Sequence, residues 1–455
     1  MKPETGDRRP ETRYQIADDD EESGRNGTEN DSSRVSTGFR TRFSGLRFPV
    51  SGFRIRRACR LSPVACLLLL LAGLVFLSGC SLTRSRRPPR PGRTTLSSPL
   101  VLLPAQSIGN YLLIEAKWDR SGPYHFLVDT GSSVTLVTPT LARRYPGRNM
   151  PSPGTTRVRV TGPDGTITEL PRSSLRRIEL GDALFEDVDV LVYDCAPLSA
   201  HLGVRIDGVL GFPLFRETLL TLDYPGSRVV LQPARNASLV PGTVIPFDDA
   251  RKTPLITVRL GERSLVALID SGSDAMFSLN PVGVAPQFSF GPIVGATVGT
   301  IGGDRTQRIG RLAETLAIGE YSFERPIVDL SDELSAIGGG VLKYFTVSFD
   351  QMHDRVTFYR SSREPISTSP RRSAGVSFSK TPAYWRVAGV VPRSFAETAG
   401  VQQGDLVIRI NDEPVARWDL RRYEQLVATA PEIVFTFLDG TAEKERRVRV
   451  FELVP

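Results

Sequence analysis

Two short segments of this 455-residue chain carry residue types that can do chemistry, Asp129-Thr130-Gly131-Ser132 and Asp270-Ser271-Gly272-Ser273. A single carboxylate in a turn is ordinary. Two carboxylates held a few ångströms apart are not, because they cannot both ionise: one pKa falls, the other rises, and the pair shares a proton. Such a pair offers a base to activate water and an acid to protonate the oxygen and the departing group, which is hydrolysis without a metal or a covalent nucleophile. The composition offers few competing chemistries. Three histidines (His125, His201, His353) and four cysteines (Cys59, Cys66, Cys80, Cys195) show no metal-ligand spacing and no Cys-x-x-Cys pair. No Gly-x-Ser-x-Gly and no obvious Ser/His or Ser/Lys constellation is present. No metal and no cofactor is expected.

The elements that must position these aspartates repeat. From about Ser97 the chain consists of short Val/Leu/Ile-rich runs broken by Gly, Pro and Asp, with little helical periodicity before Leu420, an all-β pattern. Leu112–Ala116, a turn, and Phe126–Ser132 form one unit; Leu255–Val258, a turn at Gly261-Glu262, and Leu268–Ser273 form a second. Asp207-Gly208-Val209-Leu210-Gly211 follows the first aspartate and Gly339-Gly340-Val341-Leu342-Lys343 the second. After each come an apolar strand and a turn, Leu219–Tyr224 to Val230 and Phe345–Asp350 to Phe358. A period this long means a duplicated lobe rather than a solenoid. A bare Asp-[Ser/Thr]-Gly should arise by chance about 0.2 times in such a chain; two copies with matching flanks are a specific signal.

These residues resemble a retropepsin-like aspartic protease over residues 97–360, duplicated within one chain as in the two-lobed pepsin architecture. The resemblance implies an all-β, two-lobed acid-protease fold with lobe 1 at 97–240, lobe 2 at 241–360, and Asp129 and Asp270 as the catalytic dyad. By the same resemblance, Thr130 and Ser271 are the hydroxyl residues that cross-brace the loops. Gly131 and Gly272 let the backbone turn and bring an N–H to the carboxylates. Ser132 and Ser273 are expected to hydrogen-bond the carboxylates and draw the pair toward acidic pKa values. Candidate flaps are the segments around Gly162 and Gly165 and around Gly302 and Gly303; for the second, an ordinary surface hairpin stands as the other reading. Lys343 occupies the place of a bracing glycine, and the second lobe reads as shorter beyond it.

Residues 361–372 read as a linker, and 373–455 resemble a PDZ domain through Ala396–Gly400, Gly404-Asp405 and Ile410-Asn411, with Leu420–Thr429 as the helix flanking its groove. In PDZ domains an extended peptide adds to a sheet edge and its C-terminal carboxylate is held by a Gly-containing loop. Ala374, Gly375, Val376 and Phe378 are the candidates here, with packing alone as the alternative.

The net charge of +7 belongs to the leader. Residues 1–95 hold 18 Lys/Arg against 10 Asp/Glu, and the other 360 hold 39 against 40, so a nucleic-acid partner is not expected. Residues 1–60 have the composition of a disordered tail. The uncharged run Leu61–Gly79 ends Leu77-Ser78-Gly79-Cys80, which resembles a bacterial lipobox and implies lipidation at Cys80; a plain transmembrane anchor also fits its length. Either places the protein on the bacterial cell envelope, on its periplasmic or outer-membrane side. Residues 81–96 read as a Pro/Arg stalk. The combined expectation is an envelope-anchored aspartic endopeptidase acting on peptides or unfolded proteins. The rival is a non-catalytic peptide-binding envelope lipoprotein on a degenerate protease scaffold.

Overall fold

The computed structural model describes residues 90–118, 121–147, 156–162, 165–236, 241–300 and 303–455. The leader 1–60, the anchor segment 61–80 with Cys80, residues 81–89 of the stalk, and Gly302 lie outside the described residues. Among those described, no helix is long and apolar enough to cross a membrane.

The body of the chain is β-sheet, and its two halves follow one plan. In the first, Ser121–Asp129 runs parallel to Gly208–Gly211, with Asp129 opposite Gly211. Thr135–Val137 lies antiparallel on the far side of Gly208–Gly211. In the second, Arg263–Asp270 runs parallel to Ser335–Gly338, with Asp270 opposite Gly338, and Phe277–Leu279 lies antiparallel beyond. Each aspartate thus ends a strand gripped between its own hairpin partner and a segment distant in sequence. All four residues of Gly208–Gly211 and of Ser335–Gly338 are buried, as a strand covered on both faces must be.

This register corrects the sequence alignment of the second half. The counterpart of Gly211 is Gly338, not Lys343. A Cβ at Gly211 would meet the carbonyl oxygens of Val134 and Ser132, and one at Gly338 those of Ala275 and Ser273, the same surroundings. Both halves therefore keep the bracing glycine. Lys343 instead closes the short helix Gly339–Leu342. The spacing from Gly211 to Asp223 equals that from Gly338 to Asp350, so the second half is shortened between Asp270 and Gly338 and not after it.

The halves meet in a shared run of strands, ordered Thr243–Pro246, Arg355–Tyr359, Thr346–Asp350, Thr218–Asp223, Arg228–Pro233 and Val101–Ile108. At its centre Thr221 faces Ser348, their hydroxyl oxygens 2.7 Å apart. On either side the duplication persists in an ion pair: Arg228 Nε lies 2.7 Å from Asp223 Oδ2 and Arg355 Nε 3.0 Å from Asp350 Oδ2. One hydrophobic core runs through both halves, with Leu220 and Leu222 beside Val347 and Phe349. Burial of each such side chain is worth about 1.5–3 kcal/mol, so the floor beneath the dyad is held by packing rather than by loops.

The C-terminal part forms the sheet order Val376–Lys380, Trp385–Val390, Leu406–Ile410, Glu432–Asp439, Ala442–Arg449. The helix Leu420–Thr429 covers it, capped by Asp419, whose carboxylate accepts from Arg422 N. Its core is aromatic: Phe378 packs on Trp385, Tyr423 and Phe435.

Two boundary segments differ from their sequence reading. Arg93–Leu96, the end of the expected stalk, is a strand paired with Ala183–Val192, with Leu96 packed on the core. The expected linker 361–372 is woven into both neighbours. Ile366 is buried and its strand runs parallel to Tyr321–Glu324; Arg371–Ser373 pairs with Phe451–Val454. Buried Arg311 holds the main-chain oxygens of Thr368 and Ser369. A Pro/Ser-rich stretch looks like a tether by composition, yet one buried isoleucine and one buried arginine fix it.

Candidate active site

The two loops that end the parallel strand pairs converge. Buried Thr130 Oγ1 donates to Ile269 O at 2.7 Å and accepts from Ser271 N at 3.0 Å. Symmetrically, Ser271 Oγ donates to Val128 O at 2.8 Å and accepts from Thr130 N at 3.0 Å. Four hydrogen bonds between residues some 140 positions apart thus leave neither hydroxyl and neither amide unsatisfied, as full burial requires. Ser and Thr suit these positions because one small hydroxyl both donates and accepts.

With the loops clamped, Asp129 and Asp270 come together, and their carboxyl groups hydrogen-bond each other. Gly131 N donates to Asp129 Oδ1 at 2.8 Å and Gly272 N to Asp270 Oδ1 at 2.9 Å. Both glycines are required for another reason. A Cβ on Gly131 would stand 2.3 Å from Asp270 Oδ1, and one on Gly272 2.3 Å from the Asp129 carboxyl carbon. Each loop's glycine makes room for the other loop's carboxylate.

Burial raises the Asp129 carboxyl well above the ordinary carboxylate range, with the Asp270 charge and hydrogen bond adding to the rise; the N–H groups of Gly131 and Ser132 oppose it. Burial also raises Asp270, against the hydrogen bond from Asp129 and the Gly272 N–H. The pair therefore titrates as a unit and retains one proton above the pH at which a free carboxyl loses it. This overturns the expected acidic shift. The physical reason is burial of the pair, while the Ser132 hydroxyl is spent within its own loop, donating to Val134 O at 2.8 Å. Main-chain N–H groups, not serine hydroxyls, serve the carboxylates.

Tyr111 and Tyr224 had no sequence signal. Tyr111 is buried; burial, with the charges of Asp274, Asp270 and Asp129, holds its phenol well up while its hydroxyl meets the Asp274 main-chain N–H. Tyr224 Oη is buried with no partner among the described residues, and the charges of Asp270 and Asp129 help to raise it. Both stand just outside the recognisable motifs, in segments whose pattern records only strand and turn. Asn110 adds a further brace, its Nδ2 donating to Asp274 O at 2.7 Å.

The flap candidates fare differently. Arg157–Thr161 and Ile167–Leu180 form a hairpin whose tip is closed by Gly162 N to Thr166 O and by Gly165 N to Gly162 O. Gly165, at φ +76°, stands against Glu333 of the second half: a Cβ there would lie 2.5 Å from Glu333 Oε1. This hairpin reaches from one half to the other. Gly303 belongs to a longer hairpin, Phe288–Thr300 with Gly303–Leu312, whose strands pack against the PDZ region rather than lying free on the surface. Among the PDZ candidates, Ala374, Val376 and Phe378 are buried in that domain's core. Gly375 N donates to Ser373 Oγ at 2.8 Å, so this N–H of the expected carboxylate loop is already taken. Cys195 is buried, and burial pushes its thiol up to about 12, which removes it from chemistry near neutral pH.

Comparison with known proteins agrees with this arrangement in part. Residues 114–214, which include Asp129 and Gly211 but stop short of Asp270, match the family described as aspartyl protease. Residues 386–437 match the family described as PDZ domain. No curated protein sequence gives a significant match. Among solved structures, the chain is similar to a PDZ domain protein from Parabacteroides distasonis at 19% identity and a TM-score of 0.17, covering 18% of this chain and 21% of that one. The chain thus spans about a fifth of that relative's length. On these matches and the sheet topology, the chain carries an aspartyl-protease domain and a PDZ domain.

Proposed function

We propose that the protein is an aspartic endopeptidase whose catalytic pair is Asp129 and Asp270. The observation that carries this reading is the meeting of the half-buried Asp129 and Asp270 carboxyls between two cross-braced loops. A pair with one proton has a division of labour built in. The ionised member takes a proton from a water lying between the carboxyls, and the protonated member donates to the peptide carbonyl oxygen as the water attacks carbon. The resulting tetrahedral diol collapses when the carboxyl that gained the water's proton passes it to the amide nitrogen, and the C–N bond breaks. A diol hydroxyl returns its proton to the carboxylate that had acted as acid, which leaves a carboxylic acid, an amine and the one-proton pair. The Arg157–Leu180 hairpin, reaching to Glu333, supports a lid over an extended substrate. The PDZ domain would supply peptide recognition or regulation.

The anchor belongs to the same proposal. Leu61–Gly79 followed by Cys80 is read as the segment that holds the catalytic body on the bacterial envelope, by lipidation or by spanning the bilayer. Labelling with a radioactive fatty acid, retained by the parent and lost in Cys80→Ser, supports lipidation; equal labelling refutes it.

The catalytic reading is tested by cleavage of an unfolded protein by the full chain between about pH 3 and pH 8, beside Asp129→Asn and Asp270→Asn. Activity lost in both variants is expected. Full activity in either overturns the shared dyad, and an inactive parent that still binds peptides moves the protein to the non-catalytic scaffold reading.

A further inference from the structure

The PDZ edge strand Val376–Lys380 is a terminal strand of its sheet, hydrogen-bonded to a neighbour on one side only. A peptide adding to that free edge would run between this strand and the helix Leu420–Thr429. Both walls of that space are engaged by the catalytic body. Lys380, 8% exposed, donates from Nζ to His201 O at 2.6 Å, at the end of the helix Ala196–Leu202. Its stem lies against Gly203, where a Cβ would be 3.1 Å from Lys380 Cδ. On the strand's other face Ser377 Oγ accepts from Thr297 N at 2.9 Å. From the helical wall, Leu420 packs on the cluster containing Ile108 and Tyr111, and Glu424 lies beside Gly109.

The same contacts hold the second hairpin. Thr297 sits on its strand Phe288–Thr300. A Cβ at Gly389 of the PDZ would stand 2.1 Å from Thr297 Oγ1 and 2.8 Å from Thr297 Cβ, so the Thr297 side chain lies on the Gly389 backbone in the space a side chain there would fill. His201 lies against Gly299 of the same strand. The junction also reaches the dyad loop, since the Lys380 ammonium faces Asp274 as well as Glu424.

We propose that the catalytic body and an extended peptide compete for the PDZ edge strand Val376–Lys380, so that peptide engagement releases the Phe288–Leu312 hairpin. The helix end at His201 and Gly203, against Lys380, and the turn at Gly109, against Leu420 and Glu424, stand at the two walls of the space a peptide would enter, and Ser377 ties the same strand to the hairpin. The PDZ is thereby a clamp on one wall of the site, opened by the ligand it would otherwise bind. The inference goes beyond the proposed activity and does not need it: the contacts do not involve the carboxyls of Asp129 or Asp270.

The test uses the full chain carrying Asp129→Asn, which keeps any cleavage out of the readout. Thr297→Cys with Gly389→Cys places two thiols where about 1 Å of slip gives disulfide geometry, locking the clamp reversibly. Gly389→Ala pushes the surfaces apart. The probe is a library of octapeptides with free C-termini, selected on the Gly389→Ala chain. If the released state is a minor one, apparent affinity scales with its population, so the oxidised lock should bind selected peptides at least about tenfold more weakly than its reduced form. Hydrogen exchange should rise in 288–312 and 376–380 for Gly389→Ala while Glu432–Asp439 keeps its protection. Equal binding by locked and reduced forms overturns the proposal. So does a Gly389→Ala chain that keeps its protection everywhere or selects no peptide, since the PDZ is then a permanent brace.

Discussion

The cross-brace between Thr130 and Ser271 gives a prediction that can be worked from individual bonds. Thr130→Val conserves shape but removes one donor and one acceptor. It deletes the bonds to Ile269 O and from Ser271 N and leaves both of those main-chain groups without partners in a site from which water is excluded. An orphaned buried polar group costs about 1–3 kcal/mol, so the pair predicts a loss of about 2–6 kcal/mol. Thr130→Ser keeps the hydroxyl and should lose less than about 1.5 kcal/mol, the worth of a methyl in a tight core. The assay is a urea titration read by hydrogen exchange of peptides covering Ser121–Asp129 and Arg263–Asp270, which report the two dyad strands and not the PDZ. Both strands should weaken together, because one side chain ties them. If Thr130→Val costs under about 1 kcal/mol, or if Thr130→Ser costs as much as Thr130→Val, the brace is not what holds the loops. Weakening of the first strand alone would equally refute the reasoning.

Three further outcomes are expected. Gly131→Ala and Gly272→Ala each put a methyl 2.3 Å from the opposing carboxyl; clearing it takes about 1 Å, and misplacement of that size costs about 10²-fold in kcat, so a loss under about threefold in either variant would contradict the packing. Asp129, raised by burial, keeps its proton to higher pH in the folded chain than unfolded. The folded state therefore binds more protons in that window, and stability falls as pH rises from about 4 through the folded value. Asp129→Asn should then have a higher Tm than the parent at neutral pH and converge with it below about pH 4, while an unchanged gap across that range would reverse the assignment. At the junction of the halves, Thr221→Val alone leaves Ser348 unpaired and should cost about 1–3 kcal/mol, whereas Thr221→Val with Ser348→Ala should recover most of it. Additive losses in that denaturation series would show the pair to be uncoupled.

Much of the site was legible in the residues because its information is local. Asp-Thr-Gly-Ser and Asp-Ser-Gly-Ser each specify a strand end, a tight turn and a main-chain donor within four positions, and duplication marks them as related. The helix Leu420–Thr429 was likewise legible in its short-range helical periodicity, and the structure adds Asp419 as its cap. Less legible was the bracing strand of the second half. Gly339-Gly340-Val341-Leu342 copies the Gly-Val-Leu text of the first half, whereas the strand that pairs with Asp270 is Ser335–Gly338. Similar letters lost to register, because the residue that must lack a Cβ is decided by the carbonyls of Ala275 and Ser273 that close over it.

The division is therefore one of distance along the chain. By itself the sequence determined the duplicated strands, the two aspartates with their glycines, the hydroxyl pair that braces them, and the PDZ text at its end. Tertiary structure alone decided the direction of the dyad's pKa, since burial outweighs the main-chain donors that favour the ionised form. It also decided that Tyr111 and Tyr224 stand within the field of the dyad, that Arg93–Leu96 and Ile366 belong to the folded body, and that the PDZ edge lies against helix Ala196–Leu202. Each of these depends on groups more than 40 positions apart, or on what excludes water from a carboxyl, and neither quantity leaves a periodic or short-range mark in a sequence.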